Sequence, residues 1–285
     1  MSGSSDGGGR DIVGRTAVGY VRFILLSHLR SGTHFLRSSL ESHPEIVCQT
    51  ELFNANARTL PYPLSTPTAE ILDRWGFPPR PPGVRASGFV IHAYHPGTLR
   101  AFPWLRPNPA WDDVWDRLAA MPDLRVVALE RRDLLRRHLS QLVADRTRRW
   151  HAWDPGRVGA VTHLGAPPPD DQVGPPRPDP EPIVVDVARM LTDFEEVEAC
   201  RRRARARLAG QPAIEVTYEE LCADYGAVCA RVQSFLGVEP RALTPALVKL
   251  ERRPLADAIA NWRDVRERLR GTRWAALAER ADPDG

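Results

Sequence analysis

Lysine is all but missing from this chain. Of its 39 basic residues only Lys249 is a lysine; the rest are arginines. Any chemistry that elsewhere uses an ammonium therefore falls to guanidinium groups, which stay protonated and grip oxyanions through a flat fork of N–H donors. Cysteine is scarce as well. Cys48, Cys200, Cys222 and Cys229 form no C-x-x-C pair, which excludes a disulfide-built scaffold and a zinc ribbon and reads as buried free thiols in a reducing compartment. No apolar run reaches the roughly 18 residues of a membrane span. The opening MSGSSDGGGRDIVGRT has no apolar secretory core and reads as a flexible tail over residues 1–18. A cytoplasmic protein with no membrane span is expected. A strong excess of one charge is missing too. The net charge is +3 and the pI near 8.8, which favours an anionic ligand over the concentrated basic face of a nucleic-acid binder.

What is present is the composition of a globular protein, 285 residues with 42% hydrophobic and 26% charged side chains. Five short apolar runs read as strands: Tyr20 to Ser27 (YVRFILLS), IVCQT, Ser87 to Ala93, Leu124 to Glu130 and Pro212 to Tyr218. Helical patterns separate them, around Thr33 to Ser42, Thr68 to Trp75, Ala110 to Met121, Leu134 to Trp150 and Val184 to Leu208. Strands alternating with helices predict an α/β fold, a parallel sheet covered on both faces, with ligands at the carboxyl ends of the strands. Two proline-rich segments, RWGFPPRPPGVR and GAPPPDDQVGPPRPDPEP, cannot be helix or strand interior. The second makes 152–182 an insertion or lid. The remainder, 19–285, reads as one domain with a helical C-terminal region.

The first strand runs into Arg30-Ser31-Gly32-Thr33 and then a helix. A nucleoside triphosphatase loop would read G-x-x-x-x-G-K-[ST]; here there is one glycine and no lysine. The physics is nevertheless that of an anion site. Backbone N–H groups at a helix N-terminus point at the anion, and the helix dipole favours it. Arg30 adds a fixed charge, and the hydroxyls of Ser31 and Thr33 can donate. After the fourth strand comes ERRDLLRRHLSQL, with Arg132 eight residues before Ser140. At about 100° per residue these two fall within ~80° of each other around a helix, so the arginine fork and the hydroxyl can share one phosphate.

RSGTHFLRSSLESHPEIVCQTELFN resembles the 5′-phosphosulfate segment of the PAPS-dependent sulfotransferases, in the bacterial carbohydrate branch that includes the nodulation sulfotransferases. Arg132-Asp133 with Ser140 resembles the family's 3′-phosphate site. VTYEELCADYGAVCARVQSFLGV and PLADAIANWRDVRERLRGTRW resemble its later motifs. The four stand in the family's order and span most of the chain. The resemblance implies a P-loop-like fold and sulfuryl transfer by in-line displacement. The donor would be PAPS, 3′-phosphoadenosine 5′-phosphosulfate, and the product adenosine 3′,5′-bisphosphate, with no metal required. The acceptor would be a hydroxyl of a sugar, glycolipid or glycosylated metabolite, and the source bacterial. Arg30, Ser31, Gly32, Thr33 and His34 would hold the sulfated end, and Phe35 and Tyr218 would frame the adenine. Arg132, Ser140, Arg252 and Arg253 would take the 3′-phosphate. Transfer needs a general base within hydrogen-bond reach of the acceptor hydroxyl. Glu51, just after the second strand at its carboxyl end, is the first candidate, with His95 and His92 at the end of the third as alternatives. Two other readings stay open: a P-loop-like kinase, disfavoured because VVALE is followed by Arg131 and not by a magnesium-binding aspartate, and a nucleotide-binding protein without catalysis. The acceptor pocket is expected from the proline-rich loops and the Trp104 to Trp115 region.

Overall fold

A computed structural model describes residues 19–57, 60–154, 156, 181–247 and 253–279. The N-terminal tail, most of the 152–182 segment and Arg252 lie outside the described residues. Five strands, β1 (Val21–Ser27), β2 (Ile46–Glu51), β3 (Ala86–His92), β4 (Arg125–Glu130) and β5 (Ala213–Thr217), form one sheet in the order β2-β3-β1-β4-β5. Every pairing is parallel, as the alternation of strands and helices predicts. The chain steps from β1 outward to β2 and β3 on one side, then to β4 and β5 on the other. The reversal places a crevice at the carboxyl end of β1.

Both faces of the sheet are buried. Along β1, Phe23 and Leu25 enter one apolar cluster while Ile24 and Leu26 enter another, the two-residue period of a strand. Phe23 faces Gly88 across the β1–β3 pair, where a Cβ on Gly88 would lie 2.1 Å from the Phe23 carbonyl oxygen; only glycine fits. The helices are α1 (Thr33–Glu41), α2 (Thr68–Ile71, continued by a π turn over Leu72–Gly76), α3 (Val114–Ala119), α4 (Leu134–Thr147) and α5 (Val187–Arg207). They are followed by α6 (Tyr218–Ala223), α7 (Tyr225–Phe235), α8 (Leu255–Ala258), α9 (Trp262–Arg270) and α10 (Ala276–Glu279). A third apolar cluster packs α4 and α5 against α8, α9 and α10, so the C-terminal region is helical as expected. Among the described residues no helix is long and apolar enough to cross a membrane.

Three expectations are corrected in detail. Glu51 is the last residue of β2 and not a residue beyond it, and the β2–β3 register shifts between Gln49 and Glu51, an irregularity of the kind that re-aims a side chain at a strand end. Of the four thiols, Cys48, Cys200 and Cys229 are buried but Cys222 is exposed. The first proline-rich segment leads into the amino end of β3, where Arg80 Nε donates to Ser87 Oγ at 2.9 Å. It lies at the opposite end of the sheet from the crevice.

Candidate active site

A cavity of about 1430 Å3 opens at the carboxyl ends of the strands. One wall is the turn between β1 and α1. Arg30 and Gly32 both have positive φ, 60° and 85°. Gly32 precedes α1 and supplies no capping side chain, and the first helical bond is Leu36 N–H to Gly32 O at 3.1 Å. The amides of Thr33, His34 and Phe35 have no carbonyl a turn behind them and remain available to a ligand. Ser31 is fully buried and its Oγ has no partner among the described residues. The carbonyls of the turn are held from behind. Arg137 Nη1 donates to Leu29 O at 3.3 Å and Arg131 Nη1 to Arg30 O at 3.4 Å. Arg137 is itself buried against Asp193, which also bonds His138 Nδ1 at 2.6 Å. A carbonyl and the following amide point opposite ways across a planar peptide, so binding the Leu29 carbonyl from behind turns the Arg30 N–H the other way.

Arg30 reaches across the cavity to α4. Its Nε donates to Ser140 Oγ at 3.1 Å and its Nη1 to Trp150 O at 2.7 Å. The two predicted phosphate motifs therefore meet in one place. Burial, with Arg131 adding repulsion, pushes the Arg30 guanidinium down to about 10. It stays charged near neutrality, in a site that favours an anion.

Arg132 is not in that cavity. Its side chain is 62% exposed and 3.8 Å from Glu220. Arg131 lines the wall in its place, 4.7 Å over the Tyr218 ring. The reason is where the helix starts. Asp133 caps α4 by accepting the Arg136 amide at 2.8 Å, so residues 131 and 132 lie ahead of the helix and the 100° arithmetic does not reach them. Glu219 accepts the Arg132 and Asp133 amides at 3.0 Å each, which fixes this corner with Arg131 inward. Arg253 does not line the cavity, but its carbonyl accepts from Arg136, which does, at 3.2 Å.

The opposite wall is a hydrogen-bonded row across three strand ends. Glu51 Oε1 lies 3.0 Å from His92 Nε2 and 3.2 Å from His34 Nε2, and Asn54 Nδ2 donates to Oε2 at 2.7 Å. His92 Nδ1 lies 2.9 Å from Ser27 Oγ, which lies 2.8 Å from Thr33 Oγ1. Burial opposes ionisation of Glu51, but His92 and His34 overcome it and hold the carboxyl well below its usual range. An ionised carboxylate only accepts. With His92 neutral, its Nε2–H donates to Glu51, Ser27 donates to Nδ1, and Thr33 donates to Ser27. The row then ends in the anion turn.

His95 sits elsewhere. Its Nδ1 accepts the His92 amide at 3.3 Å and its ring lines a separate, smaller cavity. Buried beside His92, it is pushed down to about 3, so it stays neutral. His34, assigned to the anion, is paired with the carboxylate instead. Desolvation lowers its pKa against the pull of Glu51, and its Nδ1 is buried with no partner among the described residues.

Tyr218 packs over the turn so closely that a Cβ on Gly32 would lie 2.4 Å from its ring. Phe35 meets Tyr225 edge-on at 5.6 Å, and Leu221 completes an apolar wall with them. Tyr225 and Leu221 were not singled out in the sequence, although YEELCADY carries both. At the far end Trp104, 41% exposed, lies edge-to-face with Trp150 at 5.7 Å, beside Asn54, Asn56 and Arg106. Trp111 and Trp115 go into the core. Among the described residues no group of three His, Cys, Asp or Glu is placed to hold a metal.

No protein-family model matches the chain. Nodulation protein H of Rhizobium meliloti is 25% identical over 266 residues, covering 91% of this chain and 96% of its own. The Rhizobium tropici protein of that name is 24% identical over 267 residues, covering 91% and 94%. A solved sulfotransferase from Alicyclobacillus acidocaldarius aligns over 91% of this chain and 96% of its own, at 17% identity and a TM-score of 0.46. The similarity to nodulation protein H thus runs over nearly the whole of both chains.

Proposed function

We propose that this chain transfers a sulfuryl group from PAPS to a hydroxyl of a carbohydrate-like small molecule. The observation that carries this reading is the joining of three parts in one cavity. They are the uncapped N-terminus of α1 at Gly32 and Thr33, the Arg30–Ser140 bridge, and an ionised carboxylate row facing them. The first two suit a phosphosulfate and a second phosphate, since each offers N–H or O–H donors, and the Arg30 and Arg131 guanidinium groups outnumber the one carboxylate beside them, Asp145. Bound there, PAPS supplies an electrophilic sulfur and a phosphate leaving group.

The residues divide the work. Arg30 and the amides of the turn neutralise charge on the leaving side, where preorganised donors lower the barrier. Phe35, Leu221 and Tyr225 offer a flat apolar slot for a base. Trp104 and Trp150, with Asn54 leading from them to the carboxylate, suit a sugar ring that stacks and hydrogen-bonds. Glu51 takes the acceptor's proton, and His34 and His92 hold it in place and share the charge. One feature favours a second assignment. Glu51 is held strongly ionised and His34 Nδ1 has no partner among the described residues, so His34 is the proton acceptor in that version and Glu51 its orienting anion.

Substitution separates the two. Glu51→Gln is expected to cut turnover about 10²–10⁴-fold with nucleotide affinity nearly intact. His34→Gln should fall less than tenfold if Glu51 is the base, and as far as Glu51→Gln if His34 is. The kinase reading loses its metal carboxylate: β4 ends in Glu130, engaged by Arg201 at 3.7 Å and Arg205 at 3.1 Å. The test of transfer is incubation with sulfur-labelled PAPS and a pooled panel of saccharides and glycosylated metabolites. Label on an acceptor hydroxyl is expected. Tight binding of adenosine 3′,5′-bisphosphate with no label transferred to any member would leave a nucleotide-binding protein instead.

A further inference from the structure

A second cavity, of about 390 Å3, lies beyond the end of β3 and takes no part in the chemistry above. His95, 3% exposed, and Tyr94, 6% exposed, are buried residues with polar atoms on its lining. Because His95 Nδ1 accepts the His92 amide, the neutral ring carries its proton on Nε2. That Nε2 is buried and has no partner among the described residues. A buried donor without an acceptor is costly and calls for one. The surrounding backbone is fixed: Trp115 Nε1 donates to His95 O at 2.7 Å, and Gly97 N–H to Tyr94 O at 2.8 Å.

Two cations stand at the mouth. Arg203 and Arg207 are one turn apart on α5, both exposed and both lining the cavity. Among the described residues neither has a carboxylate within ion-pair distance, and the polar contact of Arg203 is to Cys200 Sγ at 3.1 Å. Their neighbour Arg205 behaves differently, paired with Glu130 and with Glu215 at 2.8 Å. Asp112 is the single carboxylate on the lining; it is exposed and pairs with neither arginine.

We propose that this cavity binds a small tetrahedral oxyanion, sulfate or phosphate, between the forks of Arg203 and Arg207 and the Nε2–H of His95. Guanidinium forks and a ring N–H are donors suited to an oxyanion, and two guanidinium groups outweigh the one carboxylate on the lining. The site is wired to the catalytic row by one ring. An oxyanion accepting from Nε2–H strengthens the bond from the His92 amide to Nδ1, and the His92 side chain holds Glu51.

The test is titration of inorganic sulfate, and separately inorganic phosphate, by calorimetry and by nitrogen NMR of histidine-labelled protein, with chloride holding ionic strength constant. The His95 Nε2–H resonance is expected to shift saturably with at least one oxyanion. The double variant Arg203→Ala/Arg207→Ala, both exposed positions, should weaken the associated binding at least tenfold and change affinity for adenosine 3′,5′-bisphosphate less than twofold. Two results overturn the proposal: no saturable heat or shift from either oxyanion in the wild type, or undiminished binding in the double variant.

Discussion

The two anion motifs of this chain, Arg30–Thr33 and Arg132–Ser140, look alike in sequence: an arginine, a strand end, a helix and a hydroxyl. The structure treats them differently. In the first, every residue between β1 and α1 is committed. Positive φ at Arg30 and Gly32, the Tyr218 ring over Gly32, and the Arg131 and Arg137 bonds to the carbonyls leave one shape for the turn. In the second, Ser140 sits inside α4 and reaches the cavity, but the arginine preceding the helix is free of helical periodicity. Arg131 turns inward and Arg132 outward. A motif carried by one tight turn is fixed by local chemistry. A motif split across a helix cap depends on which way the cap faces, and that is set here by Glu219 on a helix more than 80 residues away in the chain.

The largest way to break this comparison is at the first motif. Arg30→Ala removes a preorganised donor on the leaving side and should lower kcat about 10²–10³-fold in steady-state assays. A change confined to KM would show that Arg30 only binds. The sharper comparison is at the second motif. Arg131→Ala should raise the donor KM about 10- to 100-fold, the value of a buried charge-assisted contact, with a smaller effect on kcat. Arg132→Ala, exposed and loosely paired, should stay within about threefold. The reverse order would restore the assignment that spacing alone suggests.

Two smaller effects follow. Gly32→Ala places a methyl group against Tyr218 at a left-handed position, so it should cost about 1–3 kcal/mol and weaken nucleotide binding, read by melting temperature and titration. Acid should loosen the fold through its buried histidines, offset in part by Glu41, whose carboxyl burial pushes up to about 7 and which therefore favours the folded chain as pH falls. Desolvation holds His28, which is buried, and His151, which is half-buried, well below 6.5, and His95 at about 3. Unfolded, these rings take up protons below about pH 6.5, while the folded ones do not. Stability is therefore greatest above that pH and falls as pH drops through it, by up to about 1.4 kcal/mol per unit for each ring. Glu51 adds a later loss. Its folded pKa is depressed, so its contribution is present above about 4.5 and disappears as pH falls toward its folded value. Urea unfolding at pH 7.5, 6 and 5 reads the net slope, in which the three rings should outweigh Glu41.

Much of this was legible because it is local. The β1 run YVRFILLS, the Ser-Gly turn and the α1 spacing of Leu36, Ser39 and Leu40 need no partner to be recognised. Glu51 was reached through the resemblance of its segment and its place near a strand's carboxyl end; the strand runs one residue beyond IVCQT, to Glu51 itself. What was not legible depends on distant contacts. His92 and His95 differ by three residues, yet one ring meets Glu51 and the other turns to a second cavity with Arg203. Nothing in VIHAYHP records that division. The pairing of His34 with Glu51 rests on the β2 register shift, and the inward turn of Arg131 on Glu219. Trp104 and Trp115, near in sequence, part ways because Trp115 Nε1 is drawn inward by His95 O.

The central claim is that the Arg30–Thr33 turn and Ser140 form one site for a nucleotide with two separated phosphates. Its most direct test is the melting temperature of the wild-type chain with adenosine 3′,5′-bisphosphate and, separately, with ATP and magnesium. At a hundredfold excess over Kd the bisphosphate should stabilise the fold by about 2.7 kcal/mol, with little shift from ATP. An equal or larger shift from ATP and magnesium would contradict the account.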